Sequence, residues 1–220
     1  MADATRKSSS PIGGNDPVVY VIDDDASIRE ALARLFRSVG LRTEVFTSAS
    51  ELLQRRLPCV PSCLVIDVRL PGLSGFELHT ELTKSDIRVP IVFMTAHGDI
   101  PMSVRAMKGG AIDFLTKPFR DQDMLDAVAT AISRDRARLD AESARLDLQK
   151  LFDSLTPREQ EVMTLVTSGL MNKQIAAEIR LSQITVKIHR GHVMKKMKAK
   201  SLADLVKMAE ALGINRAKSA

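Results

Sequence analysis

Three consecutive aspartates, Asp23, Asp24 and Asp25, stop the apolar run Val18–Ile22, and a further carboxylate, Asp67, stops the apolar run 63–66. If both runs are strands of one parallel sheet, these acids fall at the same edge. In a doubly wound sheet ligands bind beyond the carboxyl ends of the strands, where the strand order reverses. Asp23, Asp24 and Asp67 are therefore expected in one crevice. Two like charges ~4 Å apart repel by about 4 kcal/mol at an effective dielectric of 20, so such a cluster needs a proton or a cation. An all-oxygen donor set with room for water suits Mg2+ (or Mn2+). Thr95 ends the apolar run 91–94, and Lys117 precedes Pro118 just after the run 112–115. A hydroxyl and an ammonium converging on a metal-bound carboxylate suit phosphoryl transfer: cations neutralise the equatorial oxygens while the carboxylate attacks phosphorus. Asp25 reads instead as a helix N-cap.

The elements that would position these groups are legible in the hydrophobic pattern. Val18–Ile22, 43–46, 63–66, 91–94 and 112–115 are short apolar runs. Helical spacing separates them, as in Ile28, Leu32, Leu35 and Phe36, and again over 50–54, 75–83 and 102–107. Strands alternating with helices predict βαβ units, and five of them in so short a span predict an α/β, flavodoxin-like, doubly wound parallel sheet. From Asp121 to about Leu151 there is no Gly or Pro, and Leu125, Ile132, Leu139 and Leu146 recur every seventh residue. The second heptad position is poor, with Val128, Asp135 and Glu142. This predicts a long final helix running into a charged helical linker, with a narrow-seamed dimeric coiled coil as the alternative.

Beyond the linker the pattern is all-α. Thr156-Pro157-Arg158-Glu159 has the form of a capping box with Pro in the first turn, and Gly169 ends that helix. A short helix over 172–179, a third capped by Ser182 and running to about Lys198, and a fourth from Ser201 to Gly213 complete a four-helix domain of helix-turn-helix size. The third helix carries Lys187, Arg190, Lys195, Lys196 and Lys198 without an acidic residue, while Val186, Val193, Met194 and Met197 should face a core.

The 220 residues, 45% of them hydrophobic, suffice for two small domains and exclude wholesale disorder. Residues 1–147 hold 19 Lys+Arg against 21 Asp+Glu, whereas 148–220 hold 13 against 6. An acidic front and a basic back predict that the second domain faces a polyanion. No apolar run is long enough for a membrane span, and residues 1–16 lack the apolar stretch of a signal peptide and read as a disordered tail. Only Cys59 and Cys63 occur, which excludes a disulfide scaffold and suits a reducing cytoplasm. Cys63 is expected in the core. His189 and His192 lie three residues apart but have no evident third metal ligand.

The Asp23-Asp24-Asp25 run, Asp67 with Pro71-Gly72 and Gly75 after it, Thr95-Ala96 and Lys117-Pro118-Phe119 resemble the receiver domain of two-component response regulators. The resemblance implies phosphorylation at Asp67 by a cognate histidine kinase. It implies Mg2+ held by Asp24, Asp67 and the Arg69 carbonyl, with Asp23 binding through water. It places Phe114 at the aromatic switch position, beside Thr95 and Lys117. Because Arg69 stands where aspartyl phosphatases carry a second carboxylate, the resemblance implies a phosphate kept as a signal, with slow autodephosphorylation and no enzymatic turnover.

Residues 155–159, Asn172-Lys173-Gln174-Ile175-Ala176, Thr185-Val186-Lys187 and His189-Arg190 resemble the LuxR-type DNA-binding domain, and the whole chain is similar to the FixJ/NarL class. That resemblance implies base-edge contacts at the positions of Lys187, Ile188 and Gly191. Gly191 offers no side chain, so specificity is expected to shift to Lys187, Arg190 and Lys195, while Thr185 and Lys196 hold phosphates and Lys173 lies on the supporting helix. The expected plan is a tail over 1–16, a receiver over 17–134, a helical linker over 135–152 and a DNA-binding domain over 153–220. The expected behaviour is that of a cytoplasmic transcription factor that dimerises on phosphorylation and then binds double-stranded promoter DNA; Met102, Val104 and Met107 read either as ordinary packing or, as the resemblance implies, as part of the dimer face.

Overall fold

The computed structural model describes residues 16–214, so the expected tail lies outside the described residues save for Asp16. The chain separates into two compact units, with the boundary between Leu139 and Asp140.

The first unit is a five-stranded parallel sheet. Its strands are β1 (Val18–Ile22), β2 (Arg42–Phe46), β3 (Ser62–Asp67), β4 (Ile91–Thr95) and β5 (Asp113–Thr116), in the order β2-β1-β3-β4-β5. Helices α1 (Ala26–Ser38), α2 (Ala49–Leu53), α3 (Gly75–Lys84), α4 (Ile100–Lys108) and α5 (Asp121–Asp153) connect and cover it. β1 and β3 are buried along their whole length, as near-continuous apolar strands require when both faces of a sheet are covered. Alternation of side chains then divides β1 between two cores. Val18, Tyr20 and Ile22 pack with Leu52, Leu78, Leu82 and Phe93 on the face of α2, α3 and α4. Val19 and Val21 pack with Leu32, Phe36, Met124 and Val128 on the face of α1 and α5. Cys63 lies wholly buried in the second core, where burial pushes its thiol up and keeps it inert, whereas Cys59 is exposed.

The helix starts follow from local chemistry. The Asp25 carboxylate accepts the Ser27 N–H at 2.8 Å and caps α1, as expected. Ser74 and Glu77 close a capping box on α3, and Asp99 caps α4. β5 begins at Asp113, one residue later than its apolar run, because pairing with β4 starts at Val92–Asp113.

α5 extends unbroken to Asp153. Its first half lays Met124, Ala127, Val128, Ala131 and Ile132 on the sheet, so the heptad residues Leu125 and Ile132 are spent on the chain's own core and Leu146 stands exposed. The seam available to a coiled coil is thereby halved. Asp135, which the pattern assigned to the linker, is 1% exposed and accepts the Ser62 N–H at 2.8 Å and the Arg138 guanidinium at 2.9 Å. It ties α5 to the start of β3, so the first unit reaches at least this far along α5.

The second unit holds α6 (Pro157–Thr167), α7 (Asn172–Glu178), α8 (Gln183–Lys196) and α9 (Leu202–Ala211). Thr156 with Glu159, Ser182 and Ser201 supply the caps of α6, α8 and α9. The core gathers Leu155, Val162, Met163, Val166, Ile175, Val186, Val193, Met197, Leu205 and Ala209, with Met194 packed at its edge. Gly169 and Gly213 sit at positive φ just past α6 and α9, the left-handed geometry that terminates a helix at little steric cost.

Asp135→Ala would remove the acceptor of the buried Ser62 N–H and one partner of the Arg138 guanidinium. It should destabilise the first unit by about 3 kcal/mol, read as a lower urea midpoint for that transition. A midpoint equal to wild type would remove Asp135 from the set of stabilising groups.

Candidate functional site

β1 and β3 are neighbours, so Asp23, directly after β1, and Asp67, the last residue of β3, meet at the carboxyl edge of the sheet. Their carboxylate oxygens and that of Asp24 all lie within 4.8 Å of one another. Asp23 and Asp67 are buried while Asp24 is exposed, leaving the cluster open to solvent on one side. Lys117, just beyond β5, donates to Asp23 Oδ2 and to Asp67 Oδ2 at 2.7 Å each. Its main-chain N–H donates to the Thr95 carbonyl at 2.8 Å, which fixes the reach of its side chain.

The electrostatics follow from burial and these contacts. Burial drives the Asp23 carboxyl upward, and the Lys117 hydrogen bond and the Asp25 N–H oppose it without cancelling it. Burial by itself would lower the Lys117 ammonium, but its bonds to Asp23 and Asp67 prevail and it is raised, so it stays charged. The remaining Asp67 oxygen, Oδ1, accepts the Arg69 N–H at 2.9 Å. Three hard oxygen donors within reach, one of them exposed, form a set that a hexacoordinate divalent cation fits.

Thr95, fully buried at the end of β4, accepts the His97 N–H at 3.3 Å. Phe114 is half-buried on β5 against the first core. Two glycines matter sterically. A Cβ on Gly75 would lie 2.5 Å from the Asp67 carbonyl oxygen, so only glycine lets α3 start this close to the end of β3. A Cβ on Gly98 would lie 2.5 Å from Thr116 Cγ2 and 3.0 Å from Phe114 Cε1, so the β4–α4 loop presses directly on the aromatic ring.

The second unit presents a different surface. Along α8, Ile184, Lys187, Ile188, Gly191 and Lys195 are exposed at helical spacing, opposite the buried Val186, Val193 and Met197. Ile184 is 75% and Ile188 53% exposed, one turn apart, an apolar strip flanked by cations. The sequence pattern did not single out Ile184. A side chain at Gly191 would meet open space. Lys173 is exposed on α7. Thr185 lies in the α8 cap, its hydroxyl 2.8 Å from Ser182 Oγ.

Two expected contacts are otherwise engaged. Arg190 donates to Asn172 Oδ1 at 3.0 Å, so it braces α8 against the start of α7 rather than standing on the exposed face. Lys196, read from sequence as a phosphate holder, donates at 2.6 Å to Glu159 Oε2, which is 3% exposed. The sequence pattern assigns Glu159 only to the capping box of α6. Its burial also places it beneath α8, where it accepts from Lys196 and faces His192.

Family models match both units: residues 19–129 match the response regulator receiver domain, and residues 153–209 match the bacterial regulatory proteins of the luxR family. Nodulation protein W of Bradyrhizobium diazoefficiens is 62% identical over 198 residues, covering 90% of this chain and 87% of that protein. The transcriptional regulatory protein FixJ of Azorhizobium caulinodans is 43% identical, covering 89% of this chain and 93% of its own length. Among solved structures, response regulator StyR shares 50% identity at a TM-score of 0.79, covering 89% of this chain and 98% of that one. Full-length FixJ from B. japonicum shares 39% identity at a TM-score of 0.52, covering 92% of this chain and 100% of that one.

Glu159 gives a pH dependence whose sign is determined. Burial raises its carboxyl, but the Lys196 ammonium and the Thr156 N–H outweigh this and hold it at about 2, against an ordinary 4.5. A depressed carboxylate adds stability above its unfolded value that is lost as pH falls towards the folded one. Glu159→Gln should therefore melt below wild type at pH 7, with the gap closing between about pH 4.5 and pH 2. A gap that persists unchanged at the acid end would mean that packing, not charge, is what the substitution removes.

Proposed function

The chain belongs to the response regulators that join a receiver domain to a LuxR-type DNA-binding domain, and we propose that it is switched by phosphorylation of Asp67. The observation that carries this is the Lys117 ammonium held at 2.7 Å from both Asp23 and Asp67, with the Asp24 carboxylate alongside. A buried carboxylate already paired with a cation, at the open end of a sheet, is a nucleophile with charge compensation in place.

Asp24 and Asp67, with the Arg69 carbonyl and with Asp23 through water, would hold Mg2+. Bound there, the ion supplies positive charge against the phosphoryl oxygens. One Asp67 oxygen bonds to phosphorus as the P–N bond of the kinase's phosphohistidine breaks, and the imidazole leaves with the electron pair. Lys117 then exchanges a carboxylate oxygen for a phosphoryl oxygen. The Thr95 hydroxyl turns from the His97 N–H towards the new anion, and Phe114 fills the space that Thr95 vacates. Gly98, in contact range of both Thr95 and Phe114, couples these shifts to the start of α4. Arg69 supplies no second carboxylate for acid–base work, so hydrolysis of the phosphoryl group is slow.

On α4, Ile100, Val104 and Met107 are exposed, an apolar face through which phosphorylated chains pair. The pair presents two α8 helices to promoter DNA in the cytoplasm. Lys187 and Lys195 meet base edges and phosphates, Ile184 and Ile188 contact thymine methyls, and Lys173 and Thr185 face the backbone. Arg190 and Lys196 chiefly hold α8 in place.

With a small phosphodonor and Mg2+, the protein should take up one phosphoryl group, measured as an 80 Da mass increment. Asp67→Asn should abolish it, and stoichiometric labelling of that variant would defeat the assignment. Lys187→Ala should weaken cognate duplex binding by about 1–3 kcal/mol and random duplexes less, because a base-edge contact carries discrimination. An equal loss on both duplexes would make Lys187 a backbone contact.

A further inference from the structure

His189 and His192 lacked a third ligand in sequence, and the fold supplies one. Glu159, on α6, brings a carboxylate oxygen within 4.8 Å of a ring nitrogen of each histidine, both on α8. We propose that Glu159, His189 and His192 form a binding site for Zn2+ that fastens the recognition helix α8 to α6, with a fourth coordination position left for water.

Four observations carry this beyond proximity. The two Glu159 oxygens do different work: Oε2 accepts the Thr156 N–H at 2.8 Å and the Lys196 ammonium at 2.6 Å, while Oε1 faces His192 Nδ1 at 3.4 Å. One oxygen is thus committed to the fold and the other is turned towards an imidazole. His189 Nδ1 is buried with no hydrogen-bond partner, a lone pair or N–H withdrawn from water with nothing to compensate it. His192 is exposed, so an ion has a path in from solvent. Two imidazoles and one carboxylate, with a free position, are the donor set of borderline divalent ions and of zinc in particular, not of the hard ions that suit the all-oxygen cluster of the receiver.

The carboxylate is held ionised by its surroundings, so coordination costs no proton there. The Lys196 ammonium is the charge that opposes an ion. Its side chain is 38% exposed and stands on the far oxygen, so it can swing into solvent without breaking the cap. Glu159 itself cannot be the test residue, because removing it also removes the capping box of α6. His192 can be, since it is exposed and its only described polar contact is with Glu159 Oε1.

The full-length protein, stripped with a chelator and kept in excess Mg2+ to fill the hard-oxygen cluster, is titrated with Zn2+. Binding is read from the imidazole resonances of His189 and His192, and from the visible absorption of Co2+ in place of Zn2+. One equivalent should shift both imidazoles. His192→Asn should reduce Zn2+ affinity by on the order of tenfold or more, since loss of an outer-shell partner of a ligand already costs that much. His189→Gln should do the same with circular dichroism unchanged. Imidazole resonances that do not respond to Zn2+, or equal affinity in wild type and His192→Asn, would overturn the site. Neither result bears on phosphorylation of Asp67, which lies in the other unit.

Discussion

The Lys117 ammonium between two buried carboxylates is the constraint on which the receiver unit depends. The strand order brings Asp23 and Asp67 together at one edge, where their repulsion would amount to several kcal/mol in a partly desolvated site. A single cation on a side chain anchored through Thr95 offsets it. The neutralisation is incomplete, because Asp24 adds a third carboxylate open to solvent. On the proposed reading, that residual negative charge would draw a divalent cation, and the fixed ammonium a phosphoryl group.

The sheet itself has little freedom to respond. Both of its faces are packed against helices, and β1, β3 and β4 are buried throughout, so a shift of any strand would break close packing on two sides. The yielding parts lie at one flank. β5 is only partly buried, Phe114 sits at the edge of its core, and the loop bearing Gly98 touches both Phe114 and Thr116. On the proposed reading, a change of charge at Asp67 would therefore be expressed along Thr95, Gly98, β5 and α4 rather than through the centre of the domain.

The DNA-binding unit repeats the theme of a buried carboxylate paired with a lysine, to a different end. Glu159 caps α6, draws Lys196 off the exposed face and stands against His192, while Arg190 reaches across to Asn172. Five polar residues of α8 and its neighbours thus orient the helix, leaving Lys187, Ile188, Gly191 and Lys195 outward. A recognition helix must be held rigidly to read base edges, and here some of its own charges do the holding.

Much of this was legible in one dimension. Strand-length apolar runs, helix caps at Asp25, Thr156, Ser182 and Ser201, and acids at strand ends are local signals, produced by periodicities of two and 3.6 and by the needs of unpaired helix termini. They sufficed for the order of elements, for the fold class and for the convergence of Asp23, Asp67 and Lys117. What sequence could not decide was how each charge is used. Asp135 looked like linker and is a buried anchor; Lys196 and Arg190, expected at DNA, each also have a partner within the unit. These outcomes turn on which partner lies across the gap between two helices or between a helix and a strand. Such partners are distant in sequence, from 18 residues for Arg190 and Asn172 to 73 for Asp135 and Ser62. Local periodicity carries the side of an element that a residue occupies, but only packing in three dimensions determines whether a charge on that side meets water, a nucleic acid or a buried counter-charge.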